Sequence, residues 1–255
     1  MTPLLEARGL DVAIGGRVLC RGLDWRVMPG ESWAILGRNG AGKSTLMATL
    51  AGLRAADGGS VAVGGRDIGA LPPRELALRR GYLPQQLRDP FASTVLETVL
   101  VGRHPHLGRW DWESAADRRI AEAALAEVGL AGFAARDVQT LSGGERQRLG
   151  LATLLTQEPS LFLLDEPLAH LDLNHQVAQM ELLTARAARG AGVVAVLHDP
   201  GFAARWCGHA LLLFGDGDWR AGPVGEVVTA ENLSRLYQHP LRQLSGAPYP
   251  VFVPE

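Results

Sequence analysis

The chain has 255 residues, a formal net charge of −2 and 47% hydrophobic residues. That length buries a sizeable core, as one large domain or as a core with a subdomain. The near-neutral charge gives no general electrostatic drive toward nucleic acid or anionic lipid, and no apolar run approaches the ~20 residues of a membrane span. The N-terminus lacks the basic, apolar, small-residue order of a signal peptide. Cys20 and Cys207 lie far apart in sequence, which favours two reduced, buried thiols over a disulfide or metal role. A cytosolic protein is the expectation.

Residues Leu4 to Val27 alternate loosely and break at Gly15-Gly16, the pattern of antiparallel strands around a tight turn. Pro29-Gly30 ends them. Ser32-Trp33-Ala34-Ile35-Leu36 then predicts a buried strand, and Leu46 to Ala51 the first turns of a helix. Between the two lies Gly37-Arg38-Asn39-Gly40-Ala41-Gly42-Lys43-Ser44-Thr45, a G-x-x-x-x-G-K-[ST] pattern in the strand–loop–helix context it needs. Its glycines let backbone N–H groups converge on phosphate oxygens, backed by the positive end of the helix. Lys43 is placed to reach the β- and γ-phosphates, and the Ser44 hydroxyl suits Mg²⁺. On the pattern alone, a Gly-rich turn with a solvated lysine stays open.

Gly58 to Gly65 predicts another short strand, and Pro72-Pro73-Arg74-Glu75 a helix start. Gly81-Tyr82-Leu83-Pro84-Gln85-Gln86 carries a strand into a polar loop. From Thr94 to about Leu130 the texture turns helical, with Val95, Leu96, Val99 and Leu100 on one face and a second helix from Ser114 to Val128. This predicts a helical subdomain inserted in an α/β core. His104 and His106 flank Pro105 without Cys or carboxylate at ligand spacing, so a surface or interface loop is favoured over a metal site.

Leu141-Ser142-Gly143-Gly144-Glu145 precedes the apolar-periodic Leu149, Leu151, Ala152, Leu154 and Leu155. Ser142, Gly143 and Gly144 therefore stand at a helix N-terminus, either a second anion-binding start or an ordinary cap. Leu161 to Leu164 is an apolar run ending in Asp165-Glu166, which puts two carboxylates on the ligand-binding edge of an open α/β sheet. Asp165 suits a Mg²⁺ shell, and Glu166 suits polarising a water against a γ-phosphate. Val193 to Leu197 ends likewise in His198-Asp199, a strand-end position that favours function over a structural histidine. From Ala210 onward a strand at Leu211–Phe214, a turn at Gly215–Asp218 and a small helix near Glu231–Tyr237 carry no readable chemistry.

In this order the motifs resemble the ATP-binding subunit of ABC transporters over nearly the whole chain. The phosphate loop matches the family's Walker A, Leu163 to Pro167 its Walker B with catalytic glutamate, and Leu141 to Glu145 its signature. Gln85 falls at the Q-loop, Asp172 at the D-loop behind an unusual Ala169-His170, and His198 at the switch histidine. The resemblance implies an α/β P-loop core with an N-terminal antiparallel β-subdomain and an inserted helical subdomain. It would be one domain over 1–255, with its core in 1–86 and 157–255 and its helical part at about 87–156.

The resemblance also implies a head-to-tail pair of copies enclosing two ATP molecules. Each nucleotide would lie on residues 37–45 of one copy and be capped by Ser142 and Gly144 of the other. Asp165, Ser44 and Gln85 would hold Mg²⁺ and its waters, Glu166 would activate the attacking water, and His198 would steady the γ-phosphate. The helical subdomain would pass the motion to membrane permease subunits, placing the protein peripherally on the cytoplasmic face of the inner membrane. A periplasmic or extracellular substrate-binding protein would take part indirectly.

Where the family carries an aromatic residue to stack on adenine, this chain has Ile14, and Arg17 is a candidate planar substitute over the base. The segments Gly81 to Gln85, Val101 to Arg103 and Leu236-Tyr237…Ala247-Pro248 resemble the ATPases of iron-siderophore, haem and vitamin B12 importers. Molybdate, zinc and manganese importers share similar pieces. Two rival classes fare less well. A nucleic-acid maintenance ATPase of this type needs a long coiled coil, and a P-loop kinase would lack the Leu141–Glu145 signature. Trp110 and Trp112, near Arg103 and Arg109, are candidates for the permease contact or partly exposed aromatics of the subdomain.

Overall fold

The computed structural model describes residues 1–86, 92–244 and 249–255. It opens on a hairpin of β1 (Leu5–Ile14) and β2 (Arg17–Val27). Gly15 and Gly16 have φ of 55° and 80°, the left-handed pair that a two-residue turn needs to match strand twist. Pairing shifts register between Ala7 and Leu10, and again on either side of Val12. The loose alternation of the sequence is thus one long, bulged pair. After β3 (Ser32–Gly37) and α1 (Lys43–Leu50), β4 (Gly58–Val63) pairs antiparallel with β1, and β5 (Arg66–Asp67) pairs with β4. The resulting sheet has the order β2-β1-β4-β5.

Helix α2 (Pro73–Arg79) leads into β6 (Arg80–Leu83). Helices α3 (Val95–Leu100), α4 (Ala115–Glu127) and α5 (Gly143–Gln157) follow. Each opens on a capping box, Thr94 with Glu97, Ser114 with Asp117 and Ser142 with Glu145, which satisfies the first-turn donors from both directions. Next come β7 (Leu161–Leu164), α6 (Leu173–Ala188), β8 (Gly192–Val196), α7 (Pro200–Trp206), β9 (His209–Leu213) and β10 (Trp219–Pro223). They complete a sheet of order β10-β9-β3-β8-β7-β6, parallel except for β10. The tail adds α8 (Val224–Val227), α9 (Ala230–Tyr237) and a hairpin of β11 (Leu241–Leu244) and β12 (Val251–Pro254).

The parallel sheet divides the interior. Ala34, Leu36, Phe162, Leu164, Val193 and Ala195 face a core shared with α3, α4, α5 and the tail. Trp33, Ile35, Leu161, Leu163, Val194 and Val196 face a second core shared with α1 and the β1–β2–β4 sheet. Alternation along each strand feeds both faces. At roughly 1.5–3 kcal/mol per large apolar side chain buried, the two cores hold the strands firmly, and with them the edge where β3, β7 and β8 end.

Expected helices at Val95–Leu100, Ser114–Val128 and Glu231–Tyr237 and strands at Gly58–Gly65 and Leu211–Phe214 are present within a few residues. The sequence reading missed β10 and the β11–β12 hairpin. Residue 87, where the helical part was expected to start, and Ala247-Pro248 lie outside the described residues.

Candidate active site

Strand β3 ends at Gly37 and α1 begins at Lys43, so residues 38–42 form the loop at the sheet's C-terminal edge. Gly40 and Gly42 take φ of 77° and 97°. A Cβ on Gly42 would lie 2.6 Å from Leu19 Cδ1, and one on Gly37 2.8 Å from the Leu213 carbonyl. Side chains are thereby excluded where the backbone wraps. No side chain caps α1, which leaves its first N–H groups open to an anion. Lys43 is buried, and its Nζ donates to the Gly37 carbonyl at 2.8 Å and the Arg38 carbonyl at 3.1 Å. Burial pushes the Lys43 ammonium's pKa down, against the pull of Glu166 and Asp165.

The carboxylates follow β7, which is separated from β3 by β8. Asp165 donates its N–H to the Leu83 carbonyl at 2.8 Å, continuing the β6–β7 pairing past the strand end. Its side chain is almost wholly buried, and Oδ1 has no hydrogen-bond partner among the described residues. Burial raises its pKa, opposed first by a hydrogen bond with Ser44, and the Glu166 charge raises it further. A buried carboxylate oxygen with nothing to accept from is costly unless a donor or cation completes it. The Asp165–Ser44 pair is therefore chemically suited to a divalent ion.

Glu166 sits at φ 53°, a left-handed backbone rare for a side-chain-bearing residue. Its Oε1 lies 3.0 Å from His198 Nε2. A carboxylate so aimed can take a proton from a water, and the imidazole beside it can steady the charge.

A cleft of about 450 Å³ gathers these groups, lined by Asn39, Gly40, Gly42, Lys43, Ser44, Thr45, Gln85, Glu166 and His198. Ile14, Arg17 and Leu19 form its remaining wall. Gly37, Arg38, Ala41 and Asp165 are not among its lining residues, and Ala41 N–H bonds the Arg38 carbonyl at 3.0 Å within the loop. Ser142, Gly143, Gly144 and Asp172 do not line this cleft. Ser142 caps α5, accepting from Glu145 N–H at 3.3 Å. Asp172 caps α6, accepting from His175 N–H at 3.0 Å and lying 2.7 Å from His175 Nδ1.

One sequence expectation gains detail and one needs correction. Arg17, the candidate planar cation over the base, lines the cleft, and its guanidinium donates to the Gly215 carbonyl at 2.7 and 3.1 Å and to the Gly40 carbonyl at 3.3 Å. It braces the phosphate loop against the β9–β10 turn. The tail, read as lacking chemistry, reaches the site: Tyr237 donates its hydroxyl to the His198 carbonyl at 3.3 Å, and Gln238 accepts from Arg38.

Gln147 was also missed. Its amide Nε2 donates to the Glu166 and Pro167 carbonyls at 3.2 and 3.1 Å. The signal was present, because Gln147 lies at helical spacing from Leu151 and Leu154 as a polar residue on an apolar stripe.

The sequence profile of the ABC transporter family matches residues 20–169 of the chain. The chain belongs to the ABC transporter family. As an ABC ATPase it binds and hydrolyses ATP. It is 40% identical to the hemin import ATP-binding protein HmuV of Bradyrhizobium diazoefficiens, over 98% of this chain and 94% of that one. It is 44% identical to HmuV of Streptomyces coelicolor, over 93% and 84%. The cobalamin import ATP-binding protein BtuD of Halobacterium salinarum is 38% identical, over 91% of this chain and 58% of that protein.

Among solved structures, a chain of an ABC transporter described as of metal-chelate type, facing inward, superposes on this ABC ATPase with a TM-score of 0.86. The identity is 29%, and the match covers 99% of this chain and 98% of that one. A dimeric ATP-binding cassette in a post-hydrolysis state with ADP and Pi superposes at 0.75, with 26% identity over 86% and 98%. Among the described residues, no helix of the ABC ATPase is long and apolar enough to cross a membrane.

Proposed function

We propose that this chain is the ATP-hydrolysing subunit of an importer for a metal chelate, with hemin as the first cargo to test. The observation that carries this reading is the match to hemin-import relatives from end to end at about 40% identity. A cobalamin-import relative at 38% identity makes a corrinoid the second cargo to test. The working unit in this reading is a head-to-tail pair bound to membrane permease subunits on the cytoplasmic face, supplied by a separate substrate-binding protein.

In this scheme residues 37–45 cradle the phosphates, with Lys43 reaching the β- and γ-phosphates. Asp165, Ser44 and Gln85 would hold Mg²⁺, which neutralises phosphate charge when bound. The unpartnered Asp165 Oδ1 supports that role. Glu166 draws a proton from the attacking water while His198 orients the carboxylate and meets the γ-phosphate. Ser142 and Gly144 reach the nucleotide of the opposite copy. That arrangement agrees with their absence from the lining of their own chain's cleft. Asp172 stands near the same seam.

The test is hemin uptake in cells lacking this chain. Rescue by the natural chain and failure of rescue by Glu166→Gln are expected. Unimpaired hemin uptake without the chain, with loss of cobalamin or ferric-siderophore uptake, would move the cargo assignment.

A further inference from the structure

Gln147 lies on α5 one turn beyond Gly143, and its side chain is 4% exposed. The two carbonyls it holds belong to the turn that presents Glu166. That turn contains two non-glycine residues in left-handed conformation, Glu166 at φ 53° and His170 at φ 63°. Such a turn persists only when its surroundings over-determine it.

The start of α5 touches the same turn at its far end. A Cβ on Gly144 would fall 2.9 Å from the His170 carbonyl, so only glycine permits the approach. Helix α6 also grips the turn, through Gln179 Nε2 to the Pro167 carbonyl at 3.0 Å. Of these two helices, α5 is the one whose start carries Ser142 and Gly144.

We infer that Gln147 is a positioning residue that couples Glu166 of one ATP site to occupancy of the other. The inference rests on the two-copy reading given above. There, Ser142 and Gly144 of one copy meet nucleotide held by its partner, while Glu166 of that same copy serves its own phosphate loop. When α5 is drawn against the partner's nucleotide, the Gln147 amide carries the Glu166 backbone with it. The carboxylate is then correctly aimed only while the opposite site is filled. The coupling needs no long path: a helix start, one buried amide and one strained turn suffice.

The test compares Gln147→Met with Gln179→Met across a series of ATP concentrations at high protein concentration. Methionine keeps the bulk and removes the donor. Gln179 is the matched control, since it reaches the same Pro167 carbonyl from α6. Gln147→Met is expected to lower kcat about tenfold, as loss of one or two hydrogen bonds would. Its Hill coefficient should fall toward one, while equilibrium ATP affinity stays within about twofold of the natural chain's. Gln179→Met should keep the natural Hill coefficient. An unmoved coefficient in Gln147→Met overturns the inference, and so does an equal loss in both variants, which marks a packing role.

Should Gln147→Met not fold, Gln147→Glu replaces it. Its carboxyl can donate to the carbonyls only when protonated, so cooperativity should recover as pH is lowered, and failure to recover overturns the inference. ATP-driven dimerisation of Glu166→Gln checks the underlying reading separately. Its absence removes both, whereas dimerisation beside an unmoved Hill coefficient in Gln147→Met removes the coupling alone.

Discussion

His198 Nε2 and Glu166 Oε1 stand 3.0 Å apart at the ends of two adjacent parallel strands, one carried past β7 and the other past β8. The pairing fixes the direction of a carboxylate whose backbone is already held in an uncommon conformation. Replacing Glu166 by Gln keeps the shape and removes the proton acceptor. Turnover should fall at least ~100-fold, the lower range of general-base effects, with ATP binding retained. Steady-state hydrolysis alongside equilibrium nucleotide binding checks this. Near-natural turnover would assign the base elsewhere.

Ser142 begins α5 and is kept from its own chain's cleft, so a bulky cation there should damage only the paired state. Ser142→Arg is expected to bind ATP as the natural chain does and to hydrolyse it at least ~10-fold more slowly. A natural rate of hydrolysis from Ser142→Arg would contradict the shared site.

The wall above the phosphate loop is aliphatic, with Ile14 at 56% exposure beside Leu19, and Arg17 is engaged with the Gly40 and Gly215 carbonyls. An apolar shelf covers a base without reading its edge, and discrimination between bases relies on paired polar groups. GTP should therefore compete with ATP within about tenfold in kcat/KM. Ile14→Tyr, which adds a stacking ring, should tighten binding of both purine nucleotides. Strict ATP dependence of the natural chain would remove the expectation.

Within the helical segment, Arg103 is buried and donates to Asp117 Oδ1 at 2.8 Å, Glu158 Oε2 at 2.6 Å and the Thr156 carbonyl at 3.0 Å. Hydrogen bonds from Ser114, side chain then backbone, and from Arg103 hold the Asp117 carboxyl down at about 2 against an ordinary 3.8. A group whose folded pKa is depressed contributes stability above its unfolded pKa and loses it as pH falls through the folded one. The contribution is thus complete above about pH 4 and fades toward pH 2. Asp117→Asn should cost about 2 kcal/mol at neutral pH, less than the loss of a wholly isolated buried pair because Glu158 remains. The melting temperatures of the two proteins should converge between pH 4 and 2. A pH-independent gap would show that shape, not charge, is at stake.

Trp110 and Trp112 are 84% and 87% exposed beside Arg109, whose guanidinium lies 5.6 Å from the Trp110 ring centre. Exposed indoles are frequent anchors of interfaces. Trp110→Ala should leave hydrolysis by the isolated chain unchanged and reduce recovery of the permease complex from detergent extracts by several-fold. Intact assembly and coupled transport would return these rings to the class of incidental surface aromatics.

The chemical edge of this fold was legible because its signals are local. The phosphate loop is a spacing of glycines before Lys43, and Asp165, Glu166 and His198 each follow a short apolar run of the kind a buried parallel strand has. What escaped was set by distant partners. Arg17 looked free until the Gly215 carbonyl stood beside it. Strand β10 is defined by pairing with β9 rather than by its own Trp-Arg-Ala-Gly-Pro, which has little strand preference. Tyr237 read as a helix end and part of a family-like segment but not as part of the site, since nothing near it in sequence announces His198.

That last contact sets a practical boundary on the molecule. The nucleotide-handling motifs are finished by His198, and a fragment cut in the loop after β9 would still contain all of them. Such a fragment would lose the hydroxyl under the His198 backbone and the Gln238 partner of Arg38. Shortening or crowding the carboxyl end should therefore blunt the enzyme without touching any of its signature residues, and an affinity handle is better placed at the other terminus.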